Sequence, residues 1–334
     1  PAFAEVDSFP TRVRLPDPPL MLVDRITELE GEPGSLSRGR VVTEHDVLAG
    51  AWYLDGGRAP VCISVEAGQA DLFLSGYLGI DFQTRGQQVY RLLDAQIEFH
   101  RDLPRVGETI RYDIRIDRFI RQGDTWLFFF QFDGTIAGEK FITMREGCAG
   151  FFSAEQLATG KGIVPQTPKA PEGRRAGSTP FRELVPMSSA TLSDAQVEAL
   201  RRGELEAAFG ALFRGRTAPV ELRLPSGRMR LVDRILELDP KGGRYGLGTV
   251  LGEADIAADD WFLTCHFKDD PVMPGTLMYE CCLHTLRVFL LRMGWVGEAD
   301  EVAGEPVPGV ASRLKCRGQV TAETKKVEYE VSIK

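Results

Sequence analysis

Apolar and polar positions along the chain fall into a pattern that occurs twice. Residues 13–30 read VRLPDPPLMLVDRITELE and residues 222–239 read LRLPSGRMRLVDRILELD, an offset of 209 positions. The register continues without a gap. Gly39, Val41, Glu44, Asp46, Trp52 and Leu54 recur as Gly248, Val250, Glu253, Asp255, Trp261 and Leu263. A match of this length in one register identifies two copies of one unit. In each copy an extended apolar stretch (Leu20 to Leu29; Met229 to Leu238) runs through a glycine-containing turn into a second one ending near Val41 or Val250. A loop with the shared tryptophan follows. The long apolar segments after it, Ile63 to Ile80 and Thr276 to Met293, exceed strand length and are apolar nearly all round, which predicts one buried helix per copy.

Strand patterns return after the first helix. Arg91 to His100 and Thr109 to Ile116 alternate, and Trp126 to Phe132 and Lys140 to Phe152 are rich in aromatic and β-branched residues. Copy two matches the first pair through Leu314 to Arg317 and Lys326 to Ile333, and nothing in it matches residues 117–152. That ending in mid-pattern, and a start at Pro1-Ala-Phe-Ala-Glu without a Met or a signal pattern, read as a piece of a longer chain. The organisation expected is therefore unit one at residues 1–152, a linker at 153–221, and unit two, truncated, at 222–334. Within the linker, Pro165 to Pro186 is rich in Pro, Gly, Ser and Arg, and Ser193 to Phe213 predicts one amphipathic surface helix capped by Ser193. Each unit wraps strands on one helix, so its sheet needs a partner to cover it.

Composition adds exclusions. A net charge of −8 argues against a nucleic-acid surface, and no uninterrupted apolar run reaches the length of a membrane span. The six cysteines form no CxxC pair and read as reduced core thiols, hence a cytoplasmic setting. Four histidines without ligand spacing predict no metal site.

The chemistry gathers at Trp261 to Gly275. His266 stands ahead of Pro271-Val-Met-Pro274-Gly275, a rigid turn opening onto the second helix, whose free first-turn N–H groups can polarise a carbonyl. A lone histidine in an apolar setting is more often structural, but beside this turn it suits a general base. An acid must accompany it. Glu280, five residues past Gly275, is costly in so apolar a run unless paired or protonated. The ungapped offset places Asp71 opposite Glu280 and Gly57 opposite His266. A site built across the copies then pairs His266 with Asp71 and leaves Glu280 idle: one working site and one vestigial one. A rival register, matching Pro60-Val61 to Pro271-Val272, puts Gln69 opposite Glu280, and Glu66 is a further candidate. Asp71 is preferred because the ungapped register is long and the chemistry wants a carboxyl group. His45 reads as a solvated loop residue, His100 as a surface residue, and His284 as a partner one turn beyond Glu280.

Cys265-His266-Phe267 with Asp270-Pro271-Val272-Met273-Pro274-Gly275 closely resembles the active-site motif of the bacterial 3-hydroxydecanoyl-ACP dehydratase/isomerase family. The two fused copies resemble a dehydratase domain of a polyunsaturated fatty acid synthase, a polyketide-synthase-like megasynthase. The resemblance implies an α+β double hot-dog fold, two tandem units forming a pseudo-dimer, each an antiparallel sheet wrapped on a central helix. It implies that His266 is catalytic, that the Gly275 N–H binds the thioester carbonyl, and that an acid five residues past that glycine serves the other copy, Asp71 by the ungapped match; Gln69, from the rival register, could hold a water or hydroxyl and is expected at the substrate. The implied activity is dehydration of 3-hydroxyacyl thioesters to trans-2-enoyl thioesters, with 2-trans/3-cis isomerisation in related enzymes. No cofactor is implied beyond the phosphopantetheine of an acyl carrier protein. The implied partners are that carrier, neighbouring megasynthase domains and a second copy of the chain. Copy one lacks the histidine and the Met-Pro-Gly turn, so its own pocket should be dead. A hot-dog thioesterase and a non-catalytic hot-dog domain are the alternative readings.

Overall fold

A computed structural model describes residues 3–160, 184–296 and 304–334. Copy one runs β1 (Arg25–Glu30), β2 (Gly39–Asp46), α1 (Val61–Glu66), α2 (Asp71–Tyr77), α3 (Ile80–Thr84), β3 (Val89–Phe99), β4 (Thr109–Gln122), β5 (Thr125–Ile136), β6 (Glu139–Phe152) and α4 (Ala154–Thr159). The remainder runs β7 (Ala190–Leu192), α5 (Asp194–Arg202), α6 (Leu205–Phe209), β8 (Arg234–Asp239), β9 (Thr249–Asp255), α7 (Trp261–Cys265), α8 (Gly275–Arg292), β10 (Ala311–Lys315) and β11 (Lys326–Ser332). One antiparallel sheet has the order β1-β2-β4-β5-β6-β3-β10 and a second the order β11-β9-β8-β7. Because β10 of copy two pairs with β3 of copy one, from Ala311 opposite Glu98 to Lys315 opposite Asp94, the two copies share a sheet.

Alternation in the long strands builds the first wall. Ile110, Tyr112, Ile114 and Ile116 on β4 and Phe128, Phe130 and Phe132 on β5 are all buried, while Arg111, Asp113, Arg115, Gln131 and Asp133 between them carry a polar outer face. Burying each of these side chains contributes roughly 1.5–3 kcal/mol. They pack on a helix that is not continuous. Where the sequence predicts one helix over 63–80, Gly68 N–H and Gln69 N–H bond three residues back, to Val65 and Glu66, and the helix restarts at Asp71. Gly68 sits at that joint because a Cβ there would lie 2.8 Å from the Phe132 ring. In copy two, α8 runs unbroken as predicted.

The shared motif has a shared physical reason. Arg25 bonds Glu44 and Asp46, and Arg234 bonds Glu253 and Asp255, so the arginine of each LVDRI ties β1 to β2 and β8 to β9. Asp24 and Asp233 accept the backbone N–H of Asp46 and Asp255. The shared tryptophans meet: Trp52 and Trp261 cross edge to face with centroids 4.7 Å apart, and their indole N–H groups donate to Pro19 and Arg228, positions that are equivalent in the repeat. The two copies are thus related by an approximate twofold passing near this pair.

Residues 190–222 are more than a spacer. β7 pairs with β8, and α5 buries Val197 and Leu200 against copy two. The single helix expected from Ser193 to Phe213 stops at Gly203, which turns at φ 78°, and continues as α6 and a short 3₁₀ turn. The Pro- and Gly-rich stretch expected from residue 165 lies, up to residue 183, outside the described residues. His45 is buried between Asp24 and the Tyr53 hydroxyl rather than solvated, because it points inward from β2.

Gly39 and Gly248 are repeat partners at the start of β2 and β9, where the helix crosses the sheet. A Cβ at Gly248 would lie 2.4 Å from the Phe289 ring, and φ there is 129°. Gly248→Ala is therefore expected to lower stability by about 1–3 kcal/mol, read as an earlier midpoint in urea unfolding. An unchanged midpoint would show that the helix does not press on the strand here.

Candidate active site

Two prolines set the register of the site. Pro60 caps α1 and Pro274 caps α8, each in extended backbone, so Val61 and Gly275 are equivalent first helical residues. Between Leu54 and Pro60 the first copy has five residues, whereas between Leu263 and Pro274 the second has ten. The offset therefore moves from 209 to 214 through this loop (275 − 61 = 214), and the residue equivalent to Glu280 is Glu66. Neither the ungapped register that points to Asp71 nor the rival one that points to Gln69 allows for this shortening.

His266 closes α7 and is held by the loop that follows. Its Nδ1 lies 2.7 Å from the Val272 carbonyl oxygen, and its own carbonyl accepts the Val272 N–H at 2.8 Å. An Nδ1–H donating to that carbonyl leaves the lone pair on Nε2. Arg91 of β3 braces the loop from outside by bonding Asp270, and the same guanidinium donates to Gln319 Oε1. Burial pushes the His266 pKa below its ordinary value, against the opposing pull of Glu66 and the Val272 carbonyl, so the ring is neutral and basic at pH 7.

Glu66 faces it from the other copy. Its Oε1 lies 3.8 Å from His266 Nε2. Its Oε2 accepts from the Thr276 hydroxyl at 2.7 Å and from the Gln69 amide at 3.1 Å. Both donors fall on one carboxylate oxygen, which leaves Oε1 to work at the imidazole side. His266, Glu66, Gln69, Gly275 and Tyr90 line one cavity of about 470 Å³. Gly275 and Thr276 open α8, so their N–H groups have no carbonyl a turn back within the helix and can serve a ligand oxygen. A side chain at Gly275 would crowd the Cys316 sulfur at 3.0 Å, on the wall of that cavity.

Asp71 is elsewhere. It starts α2, is fully buried, and does not line the cavity. Its Oδ2 takes a long contact of 3.4 Å from the Tyr90 hydroxyl and its Oδ1 has no partner. Burial drives its pKa well above the usual carboxylate range, in the core behind Tyr90. Among the expected residues, the fold brings together His266, Gln69 and Gly275 and replaces Asp71 by Glu66. Thr276 was not anticipated. Its only sequence signal is a hydroxyl at the second position of a helix that begins after Pro-Gly.

The equivalent place on the opposite side is built differently. Glu280 Oε2 accepts the Cys62 N–H of α1 at 2.9 Å, and His284, one turn on, approaches Glu280 Oε1 at 3.4 Å. Burial raises the Glu280 pKa, but His284, the Cys62 N–H and Arg287 outweigh it and leave the carboxylate below its ordinary value. Asp55, in the shortened loop, is held by both ends of the Arg287 guanidinium. Val61 stands where Gly275 stands in the first site, and no imidazole lines this second cavity.

Two helix-in-sheet units joined across a twofold, with a histidine from one copy facing a carboxylate from the other, define a double hot-dog chain with a composite site. The family model for FabA-like domains matches residues 15–145 and 224–334, and the chain belongs to that family. It is 35% identical over its whole length to a polyunsaturated fatty acid synthase polypeptide of a Thraustochytrium species, of which it spans 22%. Among solved structures it is similar to one described as "Structural insights into dehydratase substrate selection for the borrelidin and fluvirucin polyketide synthases" (11% identity, 93% of this chain and 85% of that one, TM-score 0.37). It is also similar to the dehydratase heterocomplex ApeI:P from Xenorhabdus doucetiae (14% identity, 46% of this chain and 94% of that one, TM-score 0.30). Scores this low carry no argument, and the fold rests on the topology above.

The dyad makes an electrostatic prediction. The His266 ring proton resonances should titrate below the ordinary histidine pKa of about 6.5. Glu66→Gln should move that midpoint further down, because the Glu66 charge favours the imidazolium. An upward move would mean that the two groups do not face each other in solution.

Proposed function

We propose that this chain dehydrates 3-hydroxyacyl thioesters to trans-2-enoyl thioesters, in the synthesis of polyunsaturated fatty acids, with His266 and Glu66 as the reacting pair. The observation that carries the reading is the approach of His266 Nε2 to Glu66 Oε1 at 3.8 Å in a cavity that Gly275 lines. Membership of the FabA-like family and the likeness to a polyunsaturated fatty acid synthase polypeptide support it.

The thioester carbonyl would lie against the first-turn N–H of Gly275, where developing negative charge on its oxygen meets an oriented donor and the positive end of α8. That polarisation makes the α-carbon proton more acidic. His266 Nε2 takes the proton, and the electron pair left behind forms the α,β double bond as the β-carbon–oxygen bond breaks. Glu66 Oε1 relays that proton from the imidazolium to the departing hydroxyl, which leaves as water and returns both groups to their starting states. Thr276 and Gln69 fix the carboxylate through Oε2 and are positioning residues. The substrate would arrive on the phosphopantetheine of an acyl carrier protein, and an isomerisation would need the same imidazole to return a proton at a different carbon. No cofactor enters this scheme. Among the described residues no helix is long and apolar enough to cross a membrane, and we place the reaction in the cytoplasm beside neighbouring synthase domains.

Turnover of a 3-hydroxyacyl-pantetheine thioester, followed by absorbance of the conjugated enoyl product, tests this. His266→Ala and Glu66→Gln should each lower kcat by about 10²–10⁴-fold, with Asp71→Asn and Glu280→Gln near wild type. Loss in Asp71→Asn with full activity in Glu66→Gln would overturn the assignment of the acid, and release of free thiol without enoyl product would point to a thioesterase. Thr276→Val should lower kcat and shift the pH profile, and Thr276→Ser should restore both. The acid limb of kcat/KM should fall below pH 6.5, since burial holds His266 neutral until then.

A further inference from the structure

The second cavity is larger than the first. It occupies about 1090 Å³ on the opposite side of the twofold, and the repeat shows what it is. Glu66, Gln69 and Leu72, which are five, eight and eleven residues past the start of α1, line the first cavity. Glu280, Leu283 and Leu286, at the same three distances past the start of α8, line the second. The strand walls match as well. The first cavity is walled by the start of β3 and the turn after β10, and the second by Ser312 near the start of β10 and Leu103 beyond the end of β3.

The helix stripe explains the cavity's character. Tyr279, Leu283, Leu286 and Leu290 follow the i, i+4, i+7, i+11 spacing of one helix face and are only half-buried, while the rest of α8 is mostly buried. Apolar side chains on a central helix that pack on the core with one side and face a cavity with the other keep that side uncovered until something apolar enters. The polar Gln69 of the first cavity is replaced by Leu283, and Phe213 and Leu222 close the far side. What the cavity lacks is the imidazole half of the reacting pair. No imidazole lines it, and Val61 replaces the glycine at the helix start.

We infer that the second cavity is a non-reactive binding site for the acyl chain of a neutral acyl thioester, a second occupant held by the same chain while the first site works. The inference rests on the dehydratase reading above for the class of ligand. A free fatty acid fits less well, because the lining carries four carboxylates (Asp55, Glu221, Glu280 and Glu305) against the three guanidiniums of Arg58, Arg216 and Arg287. The Glu280 carboxylate is held ionised by His284 and the Cys62 N–H, which strengthens that discrimination.

Native mass spectrometry of the full chain with dodecanoyl-pantetheine thioester, which has no hydroxyl to lose, reads the stoichiometry. Two molecules per chain are expected, falling to one in Leu286→Trp and, independently, in Leu283→Glu, with turnover of the 3-hydroxyacyl substrate within about twofold of wild type in both. Leu72→Trp should remove the other molecule together with turnover. One molecule per chain, abolished by Leu72→Trp and unaffected at Leu286 and Leu283, overturns the inference and leaves the dehydratase reading intact. Two molecules bound with no turnover in the wild type would instead sink the dehydratase reading and keep the second site. Dodecanoate binding at the Leu286 site where the thioester does not would overturn the assigned ligand class.

Discussion

Everything at the centre of this protein depends on how two buried carboxylates are satisfied. Glu66 and Glu280 sit on helices that meet across the twofold, and each is bonded by the first turn of the other helix: Glu66 by the Thr276 hydroxyl, Glu280 by the Cys62 N–H. A carboxylate removed from water costs several kcal/mol unless it is paired, so neither helix can be moved without leaving an acid unpaired. The reciprocal arrangement fixes the distance between copies, and with it the distance between His266 and Glu66. It also explains why such polar groups are tolerated in segments this apolar.

Around that contact the two copies have diverged in one loop. Five residues fewer before Pro60 remove the rigid turn and the imidazole from copy one, while the helix start and its carboxylate stay in place. The shortened loop leaves Asp55 near Glu280, where Arg287 holds it. One side thereby keeps an imidazole, a carboxylate and a glycine-opened helix end, and the other keeps shape and apolar lining. The polar groups are divided unequally, but the pair of His266 and Glu66 is drawn from both copies.

Much of this was legible in the residues. The repeat predicted two like units, and its shared arginine, aspartates and tryptophan prove to be the groups that tie strand to strand and copy to copy. The strands of copy one, α8, His266 and Gly275 follow from alternation, length and the Pro-Gly turn. Glu66, the carboxylate that faces His266, stood only as a further candidate for a definite reason. Residue matching carries no information about a length change inside a loop, and a five-residue shift moves the equivalent of Glu280 from Asp71 to Glu66. The prolines that cap both helices were the available signal, since they mark the same structural position in each copy. The break after Glu66 was illegible because it comes from a close approach of Gly68 to Phe132, a contact between segments far apart in sequence. For the same reason the packing of residues 190–222 on copy two could not be read from a segment that looks like a connector.

The bond between Glu66 and Thr276 spans 210 positions of sequence. At a synthesis rate of roughly 5–20 residues per second, about 10–40 seconds separate the appearance of the carboxylate from that of the hydroxyl that completes it. During that interval copy one must exist with a bare acid, an unmatched β3 edge and half a cavity. The cluster of Glu66, Thr276 and His266 therefore cannot assemble until residue 276 has left the ribosome.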